Sequence, residues 1–225
     1  MSRRVHDLTL ANLDDLPEVC RSCVFWETTR AGRGAGAGRA ETGRSAKEAW
    51  WQATQLEWGS PGKAVYVDDR FAGYAGFAPA AQVPRVRKLG NGCSKDAVLL
   101  MTLWIEPAHR GAGLATLLLQ SVLRETHRRG ARALESYGSR VGAVGAAPGD
   151  CVLPESFLRA SGFQLWRDHA LYPLLRLDLR QTARWQQSVE SAVEGVIAAL
   201  AGRERSPAPS LRCAPRDRRL EPTTG

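Results

Sequence analysis

The chain has 225 residues, a mass of 24.5 kDa and a hydrophobic content of 44 %, which suits one sizeable domain with a buried core. Its formal net charge of +8 favours anionic partners such as phosphorylated cofactors, nucleic acid or an acidic membrane surface. No apolar run approaches the roughly 18–20 residues that span a bilayer, and the N-terminus lacks an apolar signal core. The five cysteines are too scattered for a disulfide scaffold. We therefore expect a cytoplasmic protein without membrane association.

The hydrophobic pattern predicts alternating strands and helices up to about residue 180. Predicted strands cover 5–10, 64–67, 71–77, 97–105, 132–137, 162–166 and 171–179. Predicted helices cover 12–23, 45–58, 113–129, 154–160 and a C-terminal segment, 181–201. The nearly continuous apolar run at 97–105 is typical of a central strand buried on both faces. The pattern predicts an α+β fold with one mixed sheet.

Three segments have compositions unsuited to a core. Residues 30–45 contain five glycines and four alanines and are predicted to form a mobile loop. Residues 83–95 combine a proline, two glycines and four cations, which predicts a second, basic loop. Residues 202–225 are rich in Pro, Ser and Arg and are predicted to be a disordered tail.

The segment 103–115 has the composition of an anion-binding turn. A buried strand ends at Pro107, Gly111 and Gly113 allow close approach of a ligand to the backbone, and an amphipathic helix follows. The first turn of that helix offers unpaired N–H donors and the positive end of the helix dipole. Arg110 adds a fixed positive charge suited to phosphate. A glycine-rich turn that only joins a strand to a helix is the alternative.

This segment resembles the acetyl-CoA-binding signature of the GNAT superfamily of N-acetyltransferases. Arg110, Gly113 and Ala115 fill the signature, and the strand end at 105–107 and the Ser-Gly-Phe at 161–163 also resemble the family. The resemblance covers about residues 1–180. It implies a GNAT-like single domain, with a central mixed, mostly antiparallel sheet flanked by helices, followed by the C-terminal helix and tail.

The resemblance also implies acetyl-CoA as co-substrate, with no metal expected. Two groups of backbone positions would hold it. The pyrophosphate would lie on the N–H groups of Arg110, Gly111, Ala112, Gly113, Leu114 and Ala115. The pantetheine arm and the thioester carbonyl would lie along Leu103, Trp104 and Ile105.

The catalytic residues are less well marked. Many GNAT enzymes have a tyrosine as general acid at the position of Leu158, so that acid is missing here. The candidate substitutes are Tyr137, Ser156, Tyr172 and bulk water. Glu106, at the end of the central strand, is the first candidate base and Glu135, on the next strand, the second; the alternative for each is a solvated or salt-bridged carboxylate. His109 occupies a position that is usually on the surface in this family.

Two further features leave alternatives open. Cys20 and Cys23 form a CxxC motif, which could be half of a zinc site, a redox pair or two buried thiols. Four tryptophans cluster in the first two helical segments, where they could line the acceptor pocket or simply pack in the core. The four are Trp26, Trp50, Trp51 and Trp58. Trp26 and Glu27 are the predicted substrate-binding residues, with Glu57 as another carboxylate that could meet the amine.

The favoured function is transfer of an acetyl group from acetyl-CoA to a primary amine by direct attack, with a protein lysine or a small-molecule amine as acceptor. The loops predicted at 30–45 and 83–95 could admit a macromolecule, which slightly favours a protein lysine. One alternative is a GNAT-fold protein that binds acyl-CoA without catalysis. Another is nucleic-acid binding, which the dispersed arginines do not favour. The sequence leaves open whether the C-terminal helix packs on the sheet or forms a homodimer contact.

Overall fold

A computed structural model describes residues 2–29, 37–89, 92–140 and 151–179. All of these belong to one compact unit, Met1–Thr182. The helix predicted at 181–201 and the tail predicted at 202–225 lie outside the described residues, so the domain boundary near 180 stays a prediction.

Eight strands and four α-helices make up the described part of the chain. The strands are β1 (Arg3–Asp7), β2 (Gly62–Val67), β3 (Arg70–Pro79), β4 (Ala97–Ile105), β5 (Ala133–Ser139), β6 (Leu153–Pro154), β7 (Gln164–Arg167) and β8 (Leu174–Asp178). The helices are α1 (Glu18–Ser22), α2 (Ala37–Glu57), α3 (Leu114–Arg128) and α4 (Glu155–Ala160).

One sheet runs through the molecule in the order β1-β2-β3-β4-β5-β8-β7, and β6 pairs with the far end of β5. The β4–β5 and β5–β6 pairs are parallel and the other neighbours are antiparallel. The predicted mixed, mostly antiparallel sheet flanked by helices is therefore confirmed.

Strand β4 is buried on both faces, as its apolar sequence predicts. Val98 and Leu100 belong to the core cluster that includes the apolar side of α3. Leu99 and Met101 belong to a second cluster with Trp26. Because successive side chains of a strand point to opposite faces, these two clusters lie on the two sides of the sheet.

The prediction of a mobile loop at 30–45 is wrong for residues 37–45, because these residues form the first turns of α2. A Cβ on Gly43 would lie 2.3 Å from the backbone oxygen of Ser22, so this glycine lets α2 pack closely against the end of α1. Arg44 adds ion pairs to Asp14 and, within the helix, to Glu48. Close packing of this kind offsets the conformational entropy that glycine loses in a helix. Residues 30–36 lie outside the described residues.

The prediction of a single helix at 12–23 is also wrong. A 3₁₀ segment, Leu10–Asp15, is followed by Leu16 in an extended conformation with ψ at 145°, and α1 begins only after Pro17. A proline restricts the preceding residue to extended conformations, which separates the two helical pieces. The basic segment predicted as a loop at 83–95 contains a 3₁₀ turn, Pro84–Lys88.

Candidate functional site

A groove opens where β4 and β5 part. Their parallel pairing covers three positions and ends at Leu99 opposite Glu135, although both strands continue. The Ser136 hydroxyl donates to the Leu100 carbonyl over 2.9 Å just beyond that point. Among the described residues, no strand therefore pairs with this edge of the second half of β4.

A β-bulge in β4 turns this free edge toward the groove. The register against β3 shifts between Leu100 and Thr102, so Met101 is an extra residue on β4. After the bulge the Glu106 N–H donates to the carbonyl of Ala72 on β3, over 2.9 Å.

Backbone polar groups alternate sides along a strand, and Glu106 is bonded to β3. The N–H and C=O groups of Leu103 and Ile105 therefore face away from β3, into the groove. The Ile105 carbonyl accepts a hydrogen bond from Nε of Arg110 at 3.3 Å, which agrees with this direction.

The groove ends at the turn between β4 and α3. Gly111 and Gly113 both have φ of +76°, a left-handed conformation that favours glycine. Apart from the residues directly before and after each glycine, the described part of the chain places no atom within 4 Å of where a Cβ would lie on either one. Among the side chains that the structure describes, none caps the first turn of α3, so its N–H groups are open to a ligand.

The groove has a volume of about 390 Å³ and brings together eight of the nine predicted cofactor-binding residues. These are Leu103, Trp104, Ile105, Arg110, Gly111, Gly113, Leu114 and Ala115. Ala112 lies exposed in the same turn. The remaining wall comes from His109, Leu153, Pro154 and Phe157.

Comparison with known proteins agrees with this architecture. The family model described as "Acetyltransferase (GNAT) family" matches residues 24–145. The chain belongs to the GNAT acetyltransferase family. A search of curated proteins finds no match.

Solved GNAT structures share the fold at low sequence identity. The PaiA N-acetyltransferase of Thermoplasma acidophilum, in complex with coenzyme A, superposes with a TM-score of 0.52 at 16 % identity, covering 79 % of this chain and 99 % of that one. YncA of Salmonella typhimurium, a putative acetyltransferase with acetyl-CoA, gives 0.53 at 16 % identity, covering 80 % and 95 %. An N-acetyltransferase of Staphylococcus aureus gives 0.51 at 13 % identity, covering 80 % and 99 %.

In this GNAT domain, Glu106 and His109 lie together beside the groove. The Glu106 side chain is 45 % exposed, and its Oε2 is 3.9 Å from Nδ1 of His109. That nitrogen is buried without a hydrogen-bond partner among the described residues. His109, at a position that is usually on the surface in the family, has a side chain that is 29 % exposed, and the residue borders the groove.

Glu135 is in a different environment. It is fully buried on β5, where the strands are still paired, and its carboxylate accepts hydrogen bonds from Nη1 of Arg176 at 2.9 Å and from the Ser94 N–H at 2.8 Å. Arg176 also forms a bidentate pair with Asp96. Hydrogen bonds to Asp96 and Glu135 raise the pKa of this guanidinium.

Tyr137 and Leu158 are both core residues. Tyr137 is 1 % exposed, its ring stacks on Trp26 at a centroid distance of 6.0 Å, and its hydroxyl lies 3.8 Å from Sγ of Cys93. Burial raises the pKa of the Tyr137 hydroxyl. Leu158, at the family's tyrosine position, is fully buried among apolar side chains.

Trp26 and Glu27 lie outside the groove. The indole of Trp26 donates to the carbonyl of Cys151 over 2.9 Å. The Glu27 carboxylate forms a buried ion pair with Lys47. Both line a small cavity of about 10 Å³ between α2 and the β4 bulge, together with three thiol groups. Those thiols belong to Cys20, Cys23 and Cys151.

Two classes of feature are absent from the described part of the chain. Within these ranges, His, Cys, Asp and Glu side chains form no group of three or more that could hold a metal ion. The helices that the structure describes include none with the length and hydropathy needed to cross a membrane.

Local sequence could identify only part of this groove. The spacing of small residues after β4 marks the turn, whereas no local signal marks Leu153 and Pro154. Their position depends on β6 pairing with the end of β5, which is a contact between separate segments.

Proposed function

We propose that this protein is an acetyl-CoA-dependent N-acetyltransferase that moves an acetyl group to a primary amine by direct transfer. One observation carries the proposal. The free edge of β4 leads without interruption into an open glycine turn and an uncapped helix N-terminus. This arrangement offers a line of backbone donors that ends in an anion-binding turn.

The groove residues fit acetyl-CoA. Gly111 and Gly113 leave room for a pyrophosphate at their backbone, and Arg110 adds a guanidinium at the rim. Leu153 and Phe157 provide an apolar wall for the pantetheine arm. Acetyl-CoA supplies an acyl group activated as a thioester. The N–H groups of Leu103 and Ile105 face the side of the groove where they would polarise the acyl carbonyl.

Glu106 is our candidate general base. Its carboxylate is half-exposed at the end of β4, near His109, so it can take a proton from the acceptor ammonium through water. Glu135 is held by Arg176 inside the sheet, and we assign it a structural role. Tyr137 and Leu158 are buried in the core and do not reach the groove, so we propose water as the acid, with Ser156 and Tyr172 as the two remaining side-chain candidates. A thiol pKa of about 8.5 lets a thiolate leave near neutral pH without a protein acid.

The acceptor amine belongs to one of two candidate classes, protein lysines or small-molecule amines, and both are to be tested as acceptors. The sequence interpretation favours a protein lysine because two long loops would admit a macromolecule. Residues 37–45 are helical, which removes part of that argument.

Calorimetric titration with acetyl-CoA tests the binding step. We expect micromolar affinity for the wild type and a loss of at least about tenfold, or about 1.4 kcal/mol, for Arg110→Glu. Arg124→Glu is the matched control, because Arg124 is an exposed arginine of α3 about 15 Å along the helix from its N-terminus. No binding by the wild type, or an equal loss in both variants, would overturn the proposal.

Mass spectrometry of acetylated amines tests the transfer step. We expect Glu106→Gln to lower kcat with little change in KM; an unchanged kcat at saturating substrates would remove Glu106 as the base. A second function, acyl-CoA binding without catalysis, is favoured by the buried Leu158 at the tyrosine position. Tight acetyl-CoA binding with no product from either acceptor class would support that function instead.

A further inference from the structure

Two cysteines that are far apart in sequence meet beside the β4 bulge. Sγ of Cys23 lies 2.9 Å from Sγ of Cys151, although 128 positions separate them. Both residues are partly exposed. The CxxC motif suggests Cys20 as the partner of Cys23, but the structure brings Cys151 to it instead.

We propose that Cys23 and Cys151 are a modification site, at which hydrogen peroxide or a similar small peroxide forms a reversible disulfide. The short approach of the two sulfur atoms carries the inference. The backbone of Cys151 is also held in place, because the Trp26 indole donates a hydrogen bond to the Cys151 carbonyl. Sulfur atoms placed in this way need little backbone movement to bond.

The surroundings distinguish the attacking sulfur from the resolving one. The hydrogen bond from the Cys151 thiol outweighs burial and lowers the pKa of Cys23 to about 7. The nearby ammonium of Lys47 acts in the same direction. The hydrogen bond to Cys23 and burial both raise the pKa of Cys151. Cys23 is therefore the thiolate nucleophile and Cys151 the protonated partner.

The reaction balances in two steps. The Cys23 thiolate attacks the peroxide and the O–O bond breaks, which leaves a sulfenic acid on Cys23. The departing hydroxide or alkoxide takes a proton from solvent and leaves as water or alcohol. The Cys151 sulfur then attacks the Cys23 sulfur, the S–O bond breaks, and water leaves as the disulfide forms. A dithiol reductant reverses the modification by exchange.

The disulfide would connect the segment after α1 to the segment before β6, across the β4 bulge. Met101 and Thr102 border the same cavity as the thiols, and Leu103 borders the groove. We therefore expect oxidation to lower acetyl transfer, and this consequence rests on the proposed function.

Peptide mapping of the peroxide-treated full chain tests the disulfide directly. The remaining free thiols are first blocked, and the protein is then digested with trypsin. Cleavage after Arg21 places Cys20 in peptide 5–21 and Cys23 in peptide 22–30. Cys151 lies in peptide 141–159. We expect peptides 22–30 and 141–159 to be joined and the protein to lose two of its five thiols. Cys93→Ser is the matched control and should retain the crosslink, whereas Cys151→Ser should lose it.

Several outcomes would overturn the proposal. These are a crosslink that joins only peptides 5–21 and 22–30, independent oxidation of single thiols, or a stoichiometric zinc ion that protects all three thiols. The peptide map does not depend on acetyl transfer, so it remains decisive if the reduced protein proves inactive and the proposed function fails. If the reduced protein is active, we expect oxidation to lower its rate at least fivefold, dithiothreitol to restore it and Cys151→Ser to resist the change. An unaffected rate would overturn the regulatory consequence.

Discussion

Replacing Lys47 with methionine should unfold this protein at a much lower urea concentration. The Lys47 and Glu27 side chains are only 6 % and 4 % exposed, and they form an ion pair with each other. Lys47→Met keeps most of the volume of the side chain but leaves the Glu27 carboxylate buried without its positive partner. Breaking a buried pair on one side costs about 3–5 kcal/mol.

Urea unfolding followed by tryptophan fluorescence measures this cost. With a slope of about 2 kcal/mol per molar urea, the loss corresponds to a midpoint lowered by about 1.5–2.5 M. The double variant Lys47→Met/Glu27→Leu removes both charges and keeps the volume. It should recover most of the loss, because an apolar replacement of a buried pair is often neutral or stabilising.

Arg4→Met is the matched control for removing one cation. The pair of Arg4 with Asp69 has a 3.1 Å separation, but the two side chains are 59 % and 78 % exposed, and such surface pairs contribute little. We expect no measurable shift. If Lys47→Met shifts the midpoint no more than Arg4→Met, the Lys47–Glu27 pair is not buried in solution. Glu27 would then return as a candidate for binding the acceptor amine.

Two further substitutions test the fold. Gly43→Ala should lower the free energy of unfolding by about 2 kcal/mol or more in a urea titration, because the new methyl group would lie 2.3 Å from the Ser22 oxygen; unchanged stability would contradict the close packing of α1 and α2. Burial alone raises the pKa of Glu125, but hydrogen bonds from Arg128 and Arg129 lower it from 4.5 to about 2. The folded-state pKa is the lower one, so the stabilisation is complete above about pH 4.5 and is lost as pH falls through 2. The stability difference between the wild type and Glu125→Gln should therefore narrow by more than half by pH 3, and a constant difference from pH 7 to pH 3 would contradict the assignment.

The central features of the fold follow from local sequence. Strand β4 has the predicted bounds, 97–105, because a nearly continuous apolar run fits only a strand that is covered on both faces. Helix α3 is also as predicted to within a residue at each end, since its apolar residues repeat with helical spacing. Nine of the twelve residues that line the groove belong to the contiguous segment 103–115, so local sequence was enough to identify most of it.

The features that sequence reasoning missed depend on contacts between distant segments. The bulge at Met101 is a matter of register against β3, and apolar periodicity does not specify register. Glu135 is buried because Arg176 lies opposite it on β8, a pairing that no local pattern shows. For the same reason, the CxxC motif gave no sign that Cys23 meets Cys151.

The position of the thiol pair makes a specific prediction about how oxidation acts on the groove. The N–H of Leu103 and the carbonyl of Thr102 belong to one planar peptide unit, and Thr102 borders the thiol cavity. A disulfide that shifts Thr102 therefore turns the N–H group that we propose to polarise the acyl carbonyl. The glycine turn at Gly111 and Gly113 is eight or more residues further along the chain and does not border that cavity. Oxidation should accordingly lower kcat while the calorimetric Kd for acetyl-CoA stays within about twofold of the reduced value. A weakened Kd with unchanged kcat would place the effect at the pyrophosphate turn and refute the coupling through the Thr102–Leu103 peptide.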